Sequence, residues 1–174
     1  MTYALRGKQL VYHSAPFEKD TEVSGFFKLT AWIAIDQPDT DFSVNLYEIR
    51  EDGSAIHLTG EMLRARYRES AREPRLIRTK EPLRYDFEHF TFVAQEVKKG
   101  SRLRLILGPI NSIYREKNYN SGGVVQRESM ADAHPVTVML YHDREHPSTL
   151  RVPLAAPRAA NEPSAPASAF SAPQ

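Results

Sequence analysis

The sequence predicts an all-β fold, a β-sandwich or jelly roll. Apolar residues recur with a period of two in run after run, and short turn signals separate the runs. No segment carries a long helical period, so the apolar faces must be buried sheet against sheet.

The runs justify the strands in chain order. In F-F-K-L-T-A-W-I-A-I, Phe27, Leu29, Ala31, Ile33 and Ile35 share one parity and would line one sheet face, with Trp32 on the other. Phe42, Val44 and Leu46 repeat the pattern, as do Leu63, Ala65 and Tyr67, then Leu103, Leu105 and Leu107, and finally Val136, Val138 and Leu140. Turns are marked by Asp52-Gly53, Lys99-Gly100 and Ser121-Gly122-Gly123. The stretch from Arg68 to Pro82 is polar, and Pro74 and Pro82 bar a central strand there, so it reads as a long loop. A second surface loop is expected from Pro109 to about His134. The last twenty residues are mostly Ala, Pro and Ser, with too little to bury to offset the entropy of ordering. The expected organisation is one jelly-roll domain over residues 1–154 and a disordered tail over 155–174.

Composition narrows the function. A chain of 174 residues holds one domain with a sizeable core. Its 23 basic and 22 acidic side chains give a net charge of +1, which argues against nucleic acid or an anionic membrane as a partner. The absence of cysteine removes disulfides, thiolate metal sites and cysteine nucleophiles, and fits a reducing compartment. With no signal-peptide core near the N-terminus and no apolar run of membrane-spanning length, the expectation is a soluble, cytoplasmic protein.

Four motifs bear on chemistry. Asp36, Asp39 and Asp41 could hold calcium through oxygen ligands, but their spacing is not that of an EF-hand and Asp and Pro are ordinary turn residues. Arg64, Arg66 and Arg68 alternate with Leu63, Ala65 and Tyr67, so a strand would array the guanidinium groups as a stripe; Arg102 and Arg104 repeat this after Gly100. Such stripes suit a solvated face with salt bridges, a docking surface for another domain, or a small anionic ligand. His142, Glu145 and His146 spell H-x-x-E-H, an inverted zinc-peptidase motif that requires a helix to bring its ligands onto one face. It follows the strand-like V-T-V-M-L-Y and precedes Pro147, so a turn between the final strands, Val136 to Tyr141 and Thr149 to Pro153, is expected instead. Finally, no serine has glycine at both positions of a G-x-S-x-G elbow. No catalytic, metal or cofactor residue is assigned.

Three ordered motifs, D-Q-P-D-T-D-F (36–42), L-R-A-R-Y-R (63–68) and G-S-R-L-R-L (100–105), resemble the C-terminal, non-catalytic domain of serine hydrolases of the X-Pro dipeptidyl-peptidase and cocaine esterase type. The resemblance runs from about Leu10 to Leu154 and takes in L-V-Y-H-S-A-P-F-E-K-D as a first strand and the turn and strand from Asp52 to Thr59. It implies a galactose-binding-like jelly roll that packs against an α/β-hydrolase domain, helps shape the substrate cleft and contributes oligomer contacts. It also implies that Thr40 and Asp41 bond nearby backbone. The triad belongs to the hydrolase domain, which these residues do not include, so the expected partner is a separately encoded hydrolase chain or a second copy of this one. Trp32 and Phe26 are the expected exposed apolar elements of that contact. The alternative is a carbohydrate- or small-ligand-binding module using Tyr114, Asn118, Tyr119 and Asn120.

Overall fold

A computed structural model describes residues 8–110 and 112–155. The tail expected beyond Ala155, like the residues before Lys8, lies outside the described residues. Among the described residues are ten strands: β1 (Leu10–His13), β2 (Thr21–Gly25), β3 (Lys28–Ile35), β4 (Asp41–Ile49), β5 (Ala55–Arg64), β6 (Leu83–Phe87), β7 (Val93–Val97), β8 (Arg102–Gly108), β9 (Val138–Tyr141) and β10 (Thr149–Arg151). All pairings are antiparallel.

One sheet has the order β1-β8-β4-β5. Opposite it, β2 and β3 follow one another along the chain; β2 pairs with β7 and β3 with β6, so two interrupted strands run side by side. The interruption falls at Phe26 and Phe27, after Gly25. Gly25 has φ +136°, and a Cβ there would lie 2.9 Å from Pro153 Cβ, so glycine alone allows the two backbones to approach. The other edge of β3 is shared: β9 pairs with Trp32–Ile35 and β10 with Lys28–Thr30. The chain then continues along β2, where Ser24 N–H donates to Pro153 C=O at 2.9 Å and Ala155 N–H to Glu22 C=O at 3.0 Å. Residues 142–148, including the H-x-x-E-H run, therefore bulge from an edge strand as a loop.

The parity read from sequence sets the core. Val23, Phe27, Ala31, Ile33, Val44, Leu46, Tyr85 and Phe87 are fully buried between the sheets, joined by Phe42, Leu103 and Leu107. Each such large apolar side chain contributes about 1.5–3 kcal/mol relative to exposure. Phe42 meets Tyr85 edge-on across the sandwich, ring centres 5.2 Å apart. The all-β sandwich expectation holds.

Two local expectations do not. The run L-R-A-R-Y-R is not one strand: β5 ends at Arg64, and Ala65–Tyr67 form a short 3-10 helix. Alternation is broken because Arg66 N–H is captured by Asp39 rather than by a neighbouring strand. Trp32 is also not an exposed patch. It is half-buried, with His146 of the loop edge-on at 5.1 Å, whereas Phe26 is 57% exposed and meets the equally exposed Phe92 at 5.4 Å. No helix among the described residues is long and apolar enough to cross a membrane.

Candidate functional site

The chemistry-bearing residues converge where the β3–β4 connection meets the end of β5 and the loop after β8. Asp39 is fully buried and Asp41 nearly so. Asp41 takes Arg64 in a two-pronged pair, Nε to Oδ1 at 2.7 Å and Nη2 to Oδ2 at 3.0 Å, which drives the Arg64 pKa further up through that bond. Asp39 accepts the Arg66 main-chain N–H at 2.9 Å and its Nε at 2.8 Å. Between the two carboxylates sits the Asn118 amide, donating to Asp39 Oδ2 at 2.7 Å and to Asp41 Oδ1 at 3.0 Å. Two buried anions are thus met by two cations and a bridging amide, which is what keeps their desolvation from unfolding the site.

From Asn118 the network runs into the loop. Asn118 Oδ1 accepts from Asn120 N–H at 2.8 Å; Asn120, at φ +69°, donates through Nδ2 to His134 C=O at 2.7 Å. Arg66 Nη2 reaches Gly123 C=O at 2.9 Å. Glu128 accepts from Ser121 Oγ, from Tyr119 N–H at 3.0 Å and from Gly123 N–H at 3.1 Å. Burial would raise the Glu128 pKa, but those donors outweigh it and hold the carboxyl below its usual range. The loop is therefore pinned at its second half. Its tip is not: Ile113 is 92% exposed and Tyr114 89%.

These contacts correct several expectations. Arg64, Arg66 and Arg68 form no guanidinium stripe; the first two are consumed by Asp41 and Asp39, and Arg68 pairs with Glu69. Asp39 rather than Thr40 or Asp41 binds neighbouring backbone with its side chain, and Thr40 contributes its C=O, accepting from Ala65 N–H at 2.8 Å. Asn118 is a buried structural amide, and Tyr119 and Asn120 are half-buried, so only Tyr114 of the four loop candidates stands free in solvent. Arg102 and Arg104 do project together from β8, opposite in parity to Leu103 and Leu105, and tie down β1: Arg102 Nη1 donates to Ser14 C=O at 3.1 Å and Arg104 Nε to His13 Nε2 at 2.7 Å. Asp36 accepts from Thr137 N–H at 2.8 Å and so is bonded apart from Asp39 and Asp41, which share the Asn118 amide. In the H-x-x-E-H loop, His146 turns to Trp32 and His142 to Tyr12, and Asp143 caps the turn by accepting from Glu145 and His146 N–H. Glu128 and Ile113 were not singled out from sequence; an isoleucine-tyrosine pair inside an otherwise polar loop was the available signal.

What this arrangement defines is a rigid β-sandwich module whose polar network fastens loops and presents one of them. The chain belongs to the X-Pro dipeptidyl-peptidase C-terminal non-catalytic domain family, whose family model matches residues 3–151. Among curated proteins it is 27% identical over 149 residues to cocaine esterase from Rhodococcus sp. (strain MB1 Bresler), covering 86% of this chain and 26% of that protein. A solved α-amino acid ester hydrolase superposes with a TM-score of 0.80 at 19% identity, over 86% of this chain and 26% of the other. An aminopeptidase from the marine sediment archaeon Thaumarchaeota archaeon gives 0.81 at 17% identity, over 88% and 27%. At such identities the structural likeness speaks for the fold alone. The chain spans about a quarter of the length of these relatives.

Proposed function

We propose that this chain is the accessory, non-catalytic β-sandwich of a serine hydrolase of the X-Pro dipeptidyl-peptidase or acyl esterase type, and that it docks on an α/β-hydrolase domain through the loop after β8. The observation that carries this reading is the exposed Ile113–Tyr114 tip, mounted on a loop whose base is bonded to Asp39, Asp41, Arg66 and Glu128. Exposed apolar side chains suit recognition, and the bonded second half of the loop limits the entropy lost on docking to the ordering of the tip. The match to about a quarter of cocaine esterase supports a role beside a catalytic domain. Phe26 and Phe92 offer a second apolar contact, suited to self-association.

A sugar-binding role of the galactose-binding type has less support, since the Asn118 amide is spent on two carboxylates. The lack of cysteine favours a reducing compartment, and we place the protein in the cytoplasm on that ground.

The test is to mix the purified chain with the separately produced α/β-hydrolase domain of its host and follow complex formation by light scattering on size-exclusion chromatography. A complex weakened at least tenfold by Ile113→Asp with Tyr114→Asp is expected. The isolated chain should leave a fluorophosphonate serine probe unreacted. Strictly monomeric behaviour with and without the hydrolase domain, or stoichiometric labelling of one serine, would sink the reading.

A further inference from the structure

The sandwich is open along one side. There the two sheets part between β1 and the β9–β10 edge, leaving a cleft of about 400 Å³. Its floor is made of core positions, Leu29, Ala31, Leu103, Leu105 and Leu107, and its far wall of Leu140, Leu150 and Val152. Tyr12 from one sheet and His142 from the loop of the other meet edge-on at 6.2 Å and straddle the mouth. None of its residues comes from the loop after β8, so it is separate from the docking tip.

The lining indicates what fits. A leucine-walled cleft between two sheets offers no aromatic floor for stacking a sugar or a base. It does suit a narrow saturated chain, and its volume lies within the range of small-molecule sites. Of the polar residues of the lining, Ser14 and Ser148 already donate to Ala15 C=O and Tyr141 C=O, which leaves Tyr12, His13, His142 and Thr149 as donors, and no acidic side chain is among them. Arg104 bonds His13 at 2.7 Å and Arg102 lies beside it on β8, so the field on the β1 side of the mouth is positive.

We propose that this cleft binds the alkyl chain of a medium-chain carboxylic acid, with the carboxylate held at the Tyr12–His142 mouth. The chain fills the gap between the leucines and is removed from water. The head group accepts from the Tyr12 hydroxyl and the His142 imidazole and keeps its charge within reach of solvent.

The experiment titrates the full chain with saturated carboxylic acids from hexanoate to dodecanoate, using calorimetry together with methyl NMR of the leucines. Each added methylene buried contributes about 0.8 kcal/mol, so affinity should rise about fourfold per carbon until the cleft is full and then level off. The shifted methyls should be those of Leu29, Leu105, Leu140 and Leu150. Leu150→Trp, which fills the cleft from its half-buried wall, should weaken decanoate at least tenfold. Tyr12→Phe should weaken the acid more than decanol, and decanol and methyl decanoate should both bind less tightly than the acid. Methyl shifts need no variant, so a misfolded Leu150→Trp leaves the test intact. Absence of methyl shifts at millimolar octanoate, affinity independent of chain length, or equal binding of acid and alcohol would each overturn the proposal. So would protection of the same methyls by the hydrolase domain with no acid binding, which would make the cleft a docking face.

Discussion

Asp39 and Arg66 meet twice, once through the Arg66 main-chain N–H at 2.9 Å and once through its guanidinium Nε at 2.8 Å. A single carboxylate thus stops a strand and neutralises the side chain of the residue that stops it. Asp39 is fully buried and the Arg66 side chain is only 12% exposed. Replacing such a pair by apolar groups can be neutral, but removing one partner strands the other charge. Asp39→Ala should therefore lower the unfolding free energy by about 3–5 kcal/mol, measured by urea denaturation. Asn118→Ala should cost about 1–3 kcal/mol, and the double variant less than the sum, because both act on the same carboxylate. Additive effects would mean that the amide bridge and the ion pair are independent.

Tyr85 faces the core with its hydroxyl fully buried and without a hydrogen-bond partner among the described residues. Burial pushes its pKa up to about 12, with nearby Arg68 lowering it and Asp39 raising it by lesser amounts. For a phenol raised above its unfolded value of about 10, the folded state favours the neutral form. Stability from this group is present below pH 10 and is lost as pH rises toward 12, by about 3 kcal/mol at most. Tyr85→Phe should lose this alkaline component and be no less stable at pH 7, since it removes a buried polar atom that has no partner. Alkaline denaturation followed at 295 nm would check both, and a destabilisation of Tyr85→Phe beyond about 1 kcal/mol would indicate a partner for the hydroxyl.

Strand parity carried the core from sequence: Phe27, Leu29, Ala31, Ile33 and Ile35 do form one buried face, as do Leu103, Leu105 and Leu107. The same reasoning passed over β2, β6 and β7. β2 and β7 hold too few large apolar residues to show a period; β6 does alternate, with Leu83, Tyr85 and Phe87 on one face, but is only five residues long, and all three are fixed by pairing partners some 50 to 76 residues away, such as Ile33 with Leu83 and Thr21 with Val97. Alternation misled at Arg64 to Arg68, where spacing could not reveal that two arginines had buried aspartates waiting across a turn. Asn118 looked like a surface loop residue for the same reason. Polar networks depend on which distant side chains meet, and that is a property of the fold rather than of any window of residues.

Gly100 occupies φ +83° ahead of β8, and a Cβ built there would fall 1.9 Å from Glu51 Oε1. Two separable costs follow. Left-handed backbone costs a residue with a Cβ about 1–2 kcal/mol, whereas the Glu51 carboxylate is exposed and its flexible end can swing away. Gly100→Ala should destabilise by about 1–2 kcal/mol, and adding Glu51→Ala should recover little of it. Gly100→Asn should cost less, because asparagine tolerates this region. Full rescue by Glu51→Ala in thermal unfolding would show that the clash, not the backbone angle, sets the need for glycine.

His13 holds β1 against β8 by accepting from Arg104 Nε at 2.7 Å, a bond that requires Nε2 to be unprotonated. Its pKa is lowered from 6.5 by burial first, then by Arg104 and Arg102, whose charges oppose a second cation beside them. A group whose folded pKa is depressed contributes stability that is present above the unfolded value, here 6.5, and is lost as pH falls through the lower folded value. The site is largely open to water, so the effect is local and screened by salt. NMR titration should place His13 below 6.5, and Arg104→Ala should move it back up toward that value. Between pH 7 and 5, the amides of β1 that pair with β8 should lose protection against hydrogen exchange at low salt, while those shared by β4 and β8 keep theirs. His13→Gln cannot gain the charge, and its β1 amides should show protection that no longer depends on pH once the intrinsic exchange rate is divided out. If β1 in His13→Gln still opens on acidification, the trigger lies elsewhere in that edge.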